Sequence, residues 1–258
     1  MKKIKAIVII LFVVIFVGCK KEEPFLYETF TELDSQVFGF DLDNEIIIYN
    51  GESIAINNGE LIIEDDIFNV ETTDIELSIG KEYAVTFKGQ VFRMFYTELP
   101  IVSITTNGAK IVDDPKVKGK IYLLVKGEKT LSYFIGIELR GGFFQTCPKK
   151  SYSIELWKDE NGNDKEKKSL LEMRDDDDWI LDGLWNEPIR IRDFTSHALW
   201  LEIGRVQHQN EDMTIGIKRK YCELFLNGKY QGVYYLGEKI DRKQLNLEKY
   251  NTQMEGEY

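Results

Sequence analysis

The chain predicts an α+β fold, a small β-sandwich followed by an antiparallel sheet with a helix packed on one face. Three observations lead there. From Phe25 to Tyr96 the sequence is a series of short, alternating, β-branched runs broken by turns, with no helical period among them. Near the other end, Asn227-Gly228 separates two alternating runs, the strongest short-range hairpin signal. Between them, Asp193 to Ile203 carries Phe194, His197/Ala198 and Leu201 on one helical face, with Gly204 as a C-terminal stop.

In chain order, the first element is an export signal. Lys2, Lys3 and Lys5 form a basic start, and Ile7 to Val17 is an apolar run too short to span a bilayer comfortably. It ends in Phe16-Val17-Gly18-Cys19, similar to a bacterial lipobox, so residues 1–19 are expected to be a lipoprotein signal with Cys19 as the lipidated residue. A plain signal peptide or a retained anchor is the other reading. Residues 20–25, beginning Lys20-Lys21-Glu22-Glu23, read as a tether like the charged starts of surface lipoproteins in Bacteroidetes-type bacteria. The partner this implies is a membrane, held through lipid, with the chain facing outward or into the periplasm.

Residues 26–97 form the expected sandwich module, with strands at Glu45–Tyr49, Glu60–Glu64, Asp74–Ile79, Tyr83–Lys88 and Val91–Phe95. Residues 98–258 form the second part. Its strands are expected at Ile101–Thr105, Lys120–Val125, Tyr133–Leu139, Ser151–Trp157, Tyr221–Leu226 and Lys229–Leu236. Ser169 to Met173 is a weaker helix candidate, and Asp175 to Asp178 read as a solvated acidic loop ahead of a core anchor, Trp179.

Charge narrows the partners. The chain has 33 Lys and Arg against 44 Asp and Glu, a formal net charge of −11. Loss of residues 1–18 removes three lysines and leaves −14. Nucleic-acid binding rests on neutralising phosphates with Lys and Arg, so DNA and RNA are excluded as expected partners. Cys147 and Cys222 remain beside Cys19; an exported chain can join them, and two buried thiols are the equal alternative.

The chemistry concentrates in Ile137 to Trp157, IELRGGFFQTCPKKSYSIELW. Its Gly-Gly turn allows a close backbone approach, and Lys149 and Lys150 beside it suit anionic oxygens. An ordinary basic hairpin has the same appearance. Arg140 suits either a phosphate or a structural carboxylate.

Five segments in order, LRGG at Leu139–Gly142, PKKSY at Pro148–Tyr152, DDDWIL at Asp176–Leu181, IRIRD at Ile189–Asp193 and LFLNGKYQGVYYLGEKIDR at Leu224–Arg242, resemble the CotH kinase family, named after a spore-coat protein. The resemblance implies an atypical kinase-like fold, of which residues 98–258 would be the N-terminal lobe, with ATP and Mg or Mn held between two lobes. It makes Lys149, Lys150 and Arg140 the candidates for contacting a nucleotide, with at most one of the two lysines entering the site because neighbours on a strand point to opposite faces. It gives Glu238 the part of orienting the phosphate-binding lysine, an ordinary cross-strand ion pair being its other reading. Arg192 resembles the family's arginine ahead of the helix. Phe143-Phe144 stand where the family usually has small or hydroxyl residues, and the aspartate-bearing part of such proteins is expected beyond Tyr258. The function implied is ATP-dependent phosphorylation of extracytoplasmic proteins by a surface lipoprotein. A non-catalytic binding or adhesion protein on the same scaffold is the alternative, and a truncated product the third.

Overall fold

The computed structural model describes residues 38–54, 56–63, 66–207, 216–244 and 247. The expected signal segment, Cys19 and the tether at 20–25 lie outside them.

Sixteen strands and one α-helix account for the regular structure among the described residues, together with a 3₁₀ turn at Phe143–Gln145. The first seven strands, β1 (Phe38–Asp41), β2 (Ile46–Tyr49), β3 (Ile56–Asn57), β4 (Glu60–Ile63), β5 (Asp66–Val70), β6 (Glu82–Phe87) and β7 (Gln90–Tyr96), form one sheet in the order β1-β2-β7-β6-β5-β4-β3. In β6 and β7 the alternation seen in sequence becomes alternating burial, with Tyr83, Val85 and Phe87 facing the same side as Phe92, Met94 and Tyr96. Phe68 and Phe87 stack there at 4.1 Å, with Phe38 4.9 Å from Phe68. The strand expected at Asp74–Ile79 is absent; that stretch is irregular, with one isolated bridge from Ile79 to Tyr96.

The remaining long strands close into a barrel. They are β8 (Ile101–Thr105), β9 (Val117–Leu124), β10 (Leu131–Leu139), β11 (Tyr152–Trp157), β14 (Asp178–Asp182), β15 (Arg219–Leu226) and β16 (Lys229–Glu238), in the order β10-β11-β14-β16-β15-β8-β9. Two short strands, β12 (Lys168–Ser169) and β13 (Asp175–Asp176), pair separately. Seven is an odd number, so alternating directions cannot close the ring without a parallel pair. That pair is β8 with β15, Val102 opposite Leu224. The lumen is packed with side chains, among them Ile121, Ile135, Ile154, Leu181, Leu224, Tyr234 and Leu236. Gly136 is needed on the wall: a Cβ there would lie 2.1 Å from the Trp157 ring.

This overturns the α+β expectation. The second part is a closed β-barrel, and the helix α1 (Arg192–Gln207) is an attachment to it, docked where Phe194 stacks on Tyr221 and Tyr235 at 5.0 and 5.9 Å. An antiparallel sheet with one covered face and a closed barrel present the same period-two pattern; only the non-local β8–β15 pairing separates them. Ser169 to Met173, the weaker helix candidate, begins in β12 and continues as a turn.

The sheet and the barrel share a seam. Ile48, Ile101, Leu124 and Phe225 form one apolar cluster, and Gly39 admits the Phe225 ring, which a Cβ would meet at 2.0 Å. Polar contacts fix the join: the Tyr230 N–H donates to Asp41 Oδ2 at 2.9 Å, and Asn50 Nδ2 donates to the Leu124 carbonyl at 3.0 Å.

Candidate anion-binding site

The Gly-Gly turn after β10 needs glycine at its first position, where Gly141 has φ +79°. The 3₁₀ turn follows, with Phe143 exposed and edge-on to Phe144, and the chain then returns through Pro148-Lys149-Lys150 into β11.

The two lysines diverge. Lys150 Nζ donates to the Gln145 carbonyl at 2.6 Å and closes the 3₁₀ turn. Lys149 reaches to β16 instead. Its ammonium donates to the Val233 carbonyl at 2.6 Å and lies 4.3 Å from the centre of the Tyr234 ring. Burial, joined by the Arg190 guanidinium, pushes the Lys149 ammonium down to about 8, against the smaller pull of Glu223, Cys222 and Asp182.

The wall facing Lys149 is the turn after β14. Asp182 Oδ1 accepts from Ser151 Oγ at 3.2 Å and from the Leu184 N–H at 3.0 Å, and the Gly183 N–H donates to Ser151 Oγ at 3.0 Å. The loop then runs to Arg190, whose φ of +55° costs a non-glycine residue about 1–2 kcal/mol. Two tyrosine hydroxyls hold it there: Tyr235 donates to the Arg190 carbonyl at 2.7 Å, and Tyr221 donates to the same oxygen. The result is a half-buried ammonium with a guanidinium close enough to disfavour its charge. An anion near both groups would relieve that repulsion.

The other expected site residues sit apart. Arg140 is exposed at the start of the Gly-Gly turn, its backbone N–H bonded to the Ser151 carbonyl. Glu238 is buried and plays a structural role. It accepts from the Arg174 N–H at 3.0 Å and the Lys218 N–H at 2.8 Å, joining two loops at the end of β16. Lys149 hydrogen-bonds to Val233, so Glu238 does not orient it. Arg192 is exposed and paired with Glu187 at 2.9 Å; Arg190, two residues earlier in the same IRIRD motif, is the arginine near Lys149. Cys147 and Cys222 are both free and buried, Cys222 inside the barrel.

Of the acidic run expected to be solvated, only Asp175 is exposed. Asp176 and Asp177 are 1 % and 5 % exposed. Lys243 Nζ donates to all three of Asp176, Asp177 and Asp178, the last two at 2.9 and 3.1 Å, while Arg174 pairs with Asp176 at 2.7 Å. Glu155, Asp177 and Asp178 lie close enough together for one metal ion. Lys165 joins Glu155 to Asp177, and with Lys243 it fills the place a cation would take. These residues therefore do not fit a bound divalent metal.

Comparison with curated proteins finds no match. The segment holding Lys149, Arg190, Glu238 and four barrel strands is a different matter: residues 137–257 match the family model described as CotH kinase protein.

Proposed function

We propose that the CotH-family segment binds the phosphates of ATP between Lys149 and Arg190 and serves in phosphorylation of extracytoplasmic proteins, on a chain anchored to the outer membrane or cell surface through lipid at Cys19. One observation carries the reading. Lys149 is half-buried beside Arg190, with its ammonium pushed down to about 8, an arrangement that costs stability until an anion arrives. The family-model match over residues 137–257 suggests the nucleotide, and with it the Mg or Mn that such phosphotransfer uses.

Thermal unfolding with ATP, ADP and inorganic phosphate, with and without Mg or Mn, tests it. ATP is expected to stabilise the parent and Lys150→Ala, whose lysine only closes a turn, and to leave Lys149→Ala unmoved. Equal stabilisation of all three chains overturns the site. Transfer of labelled phosphate to a protein acceptor tests the activity, and loss of labelled-lipid incorporation in Cys19→Ala tests the anchor. The exposed Phe143 beside the site favours a second reading, a surface-binding scaffold without transfer. ATP binding with no phosphate incorporation would support it.

A further inference from the structure

A second site lies where the N-terminal sheet meets the barrel. A cavity of about 600 Å³ opens there, lined on the sheet side by Ile48, Phe95 and Tyr96 and on the barrel side by Glu223, Tyr230 and Val233. That volume is in the range of small-molecule sites, which favour such junctions. Glu223 stands opposite Val233 in the β15–β16 ladder and is 7 % exposed. The Tyr230 hydroxyl donates to its Oε2 at 2.6 Å and the Thr97 hydroxyl to its Oε1 at 3.3 Å. Both neighbours are donors, so the carboxyl is arranged to accept. It has no ion-pair partner among the described residues, and burial raises it above the usual carboxylate range.

The cavity wall has one sign of charge. Glu98 is the other ionisable carboxyl lining it, and among the described residues no lysine or arginine does. Lys149 donates to the Val233 carbonyl and attracts Glu223 without an ion-pair contact to it, and Lys126, near Tyr96, pairs with Glu52 at 3.4 Å. Three aromatic rings, Phe95, Tyr96 and Tyr230, complete a wall suited to a cation on an apolar body.

We propose that this cavity binds a small organic amine, its ammonium group accepted by Glu223 and its apolar part held among Ile48, Phe95 and Tyr96. The buried carboxyl, which makes no ion-pair contact among the described residues, receives one from the ligand.

The proposal is tested by calorimetric titration of the whole chain with 2-phenylethylammonium, 2-phenylethanol and 3-phenylpropanoate. The ammonium compound is expected to bind, and the alcohol about tenfold or more weaker, since a hydrogen bond to a charged group is lost. The carboxylate compound is expected not to bind. Glu223→Gln should weaken the amine about tenfold. Val233→Phe, which fills the cavity without altering the carboxyl, should abolish binding. Lys149→Ala, which removes a positive charge that attracts Glu223, should leave amine binding as tight or tighter while abolishing ATP binding, which separates this site from the phosphate site. Equal binding of amine and alcohol, no binding of any probe, or indifference to both Glu223→Gln and Val233→Phe overturns the proposal.

Discussion

Gly183 lies so close to Lys150 that a Cβ on it would come within 2.5 Å of the Lys150 carbonyl oxygen. The obstacle is backbone, which cannot swing aside as a side chain can. The turn after β14 therefore sets how the Pro-Lys-Lys clasp lies on the barrel, and with it where Lys149 points. Gly183→Ala is expected to destabilise the fold by about 1–3 kcal/mol in urea unfolding, the cost of forcing an extra group into a packed place. It should also weaken ATP binding. A variant as stable as the parent would mean the clasp has slack.

Lys149 makes anion binding pH-dependent. Its folded value, about 8, lies below the ordinary 10.5, so the free protein loses the positive charge as pH rises through about 8. ATP affinity is expected to fall roughly tenfold for each unit above that point. Lys149→Arg, which stays charged, should flatten the profile. Stability has the opposite trend: between about 8 and 10.5 the unfolded chain holds a proton that the folded chain has released, so stability rises with pH there.

Glu238 offers a clean separation of structure from binding. Gln in its place keeps one acceptor oxygen and turns an amide toward the N–H of Arg174 or Lys218. Glu238→Gln is expected to cost about 1–3 kcal/mol of stability. ATP-induced stabilisation, measured as the shift over the variant's own baseline, should be unchanged.

Lys243 answers three carboxylates. Burial alone would lower its pKa, but hydrogen bonds to Asp176, Asp177 and Asp178 raise it above the ordinary lysine value. Lys243→Ala leaves Asp176 and Asp177 buried with too little countercharge, a loss of about 3 kcal/mol by denaturant unfolding. Asp177 is depressed below its ordinary 3.8 despite burial, chiefly by Lys243. Its contribution is thus present above 3.8 and lost as pH falls through the lower folded value. The gap between parent and variant should narrow in acid.

The parts of the fold written in local sequence were legible. The β15–β16 hairpin is one, with Asn227 and Gly228 at φ +49° and +72° as a turn of that type requires. Helix α1 is another, although it runs through Gly204, the expected stop, to Gln207. What escaped depends on distant residues. Asp175 to Asp178 look like a wet loop until Lys243, more than sixty positions away, is brought over them. Glu238 and Lys149 lie in two of the five family-like motifs, yet each bonds to backbone rather than to the other. Charge and spacing alone do not separate Arg190 from Arg192. The left-handed conformation that places Arg190 is fixed by the hydroxyls of Tyr221 and Tyr235 on β15 and β16, which a linear reading does not reach.

The parallel pairing of β8 with β15 means that the segment recognisable by family is not the unit that folds. Residues 137–257 begin inside β10, and β8 and β9 precede them. Expressed alone, that segment would carry a ring lacking two strands and most of a third, with bare edges on β15 and on the remnant of β10, the kind of surface that recruits other chains. During synthesis β8 waits for a partner more than a hundred residues downstream. Until β15 has left the ribosome, the barrel has no inside.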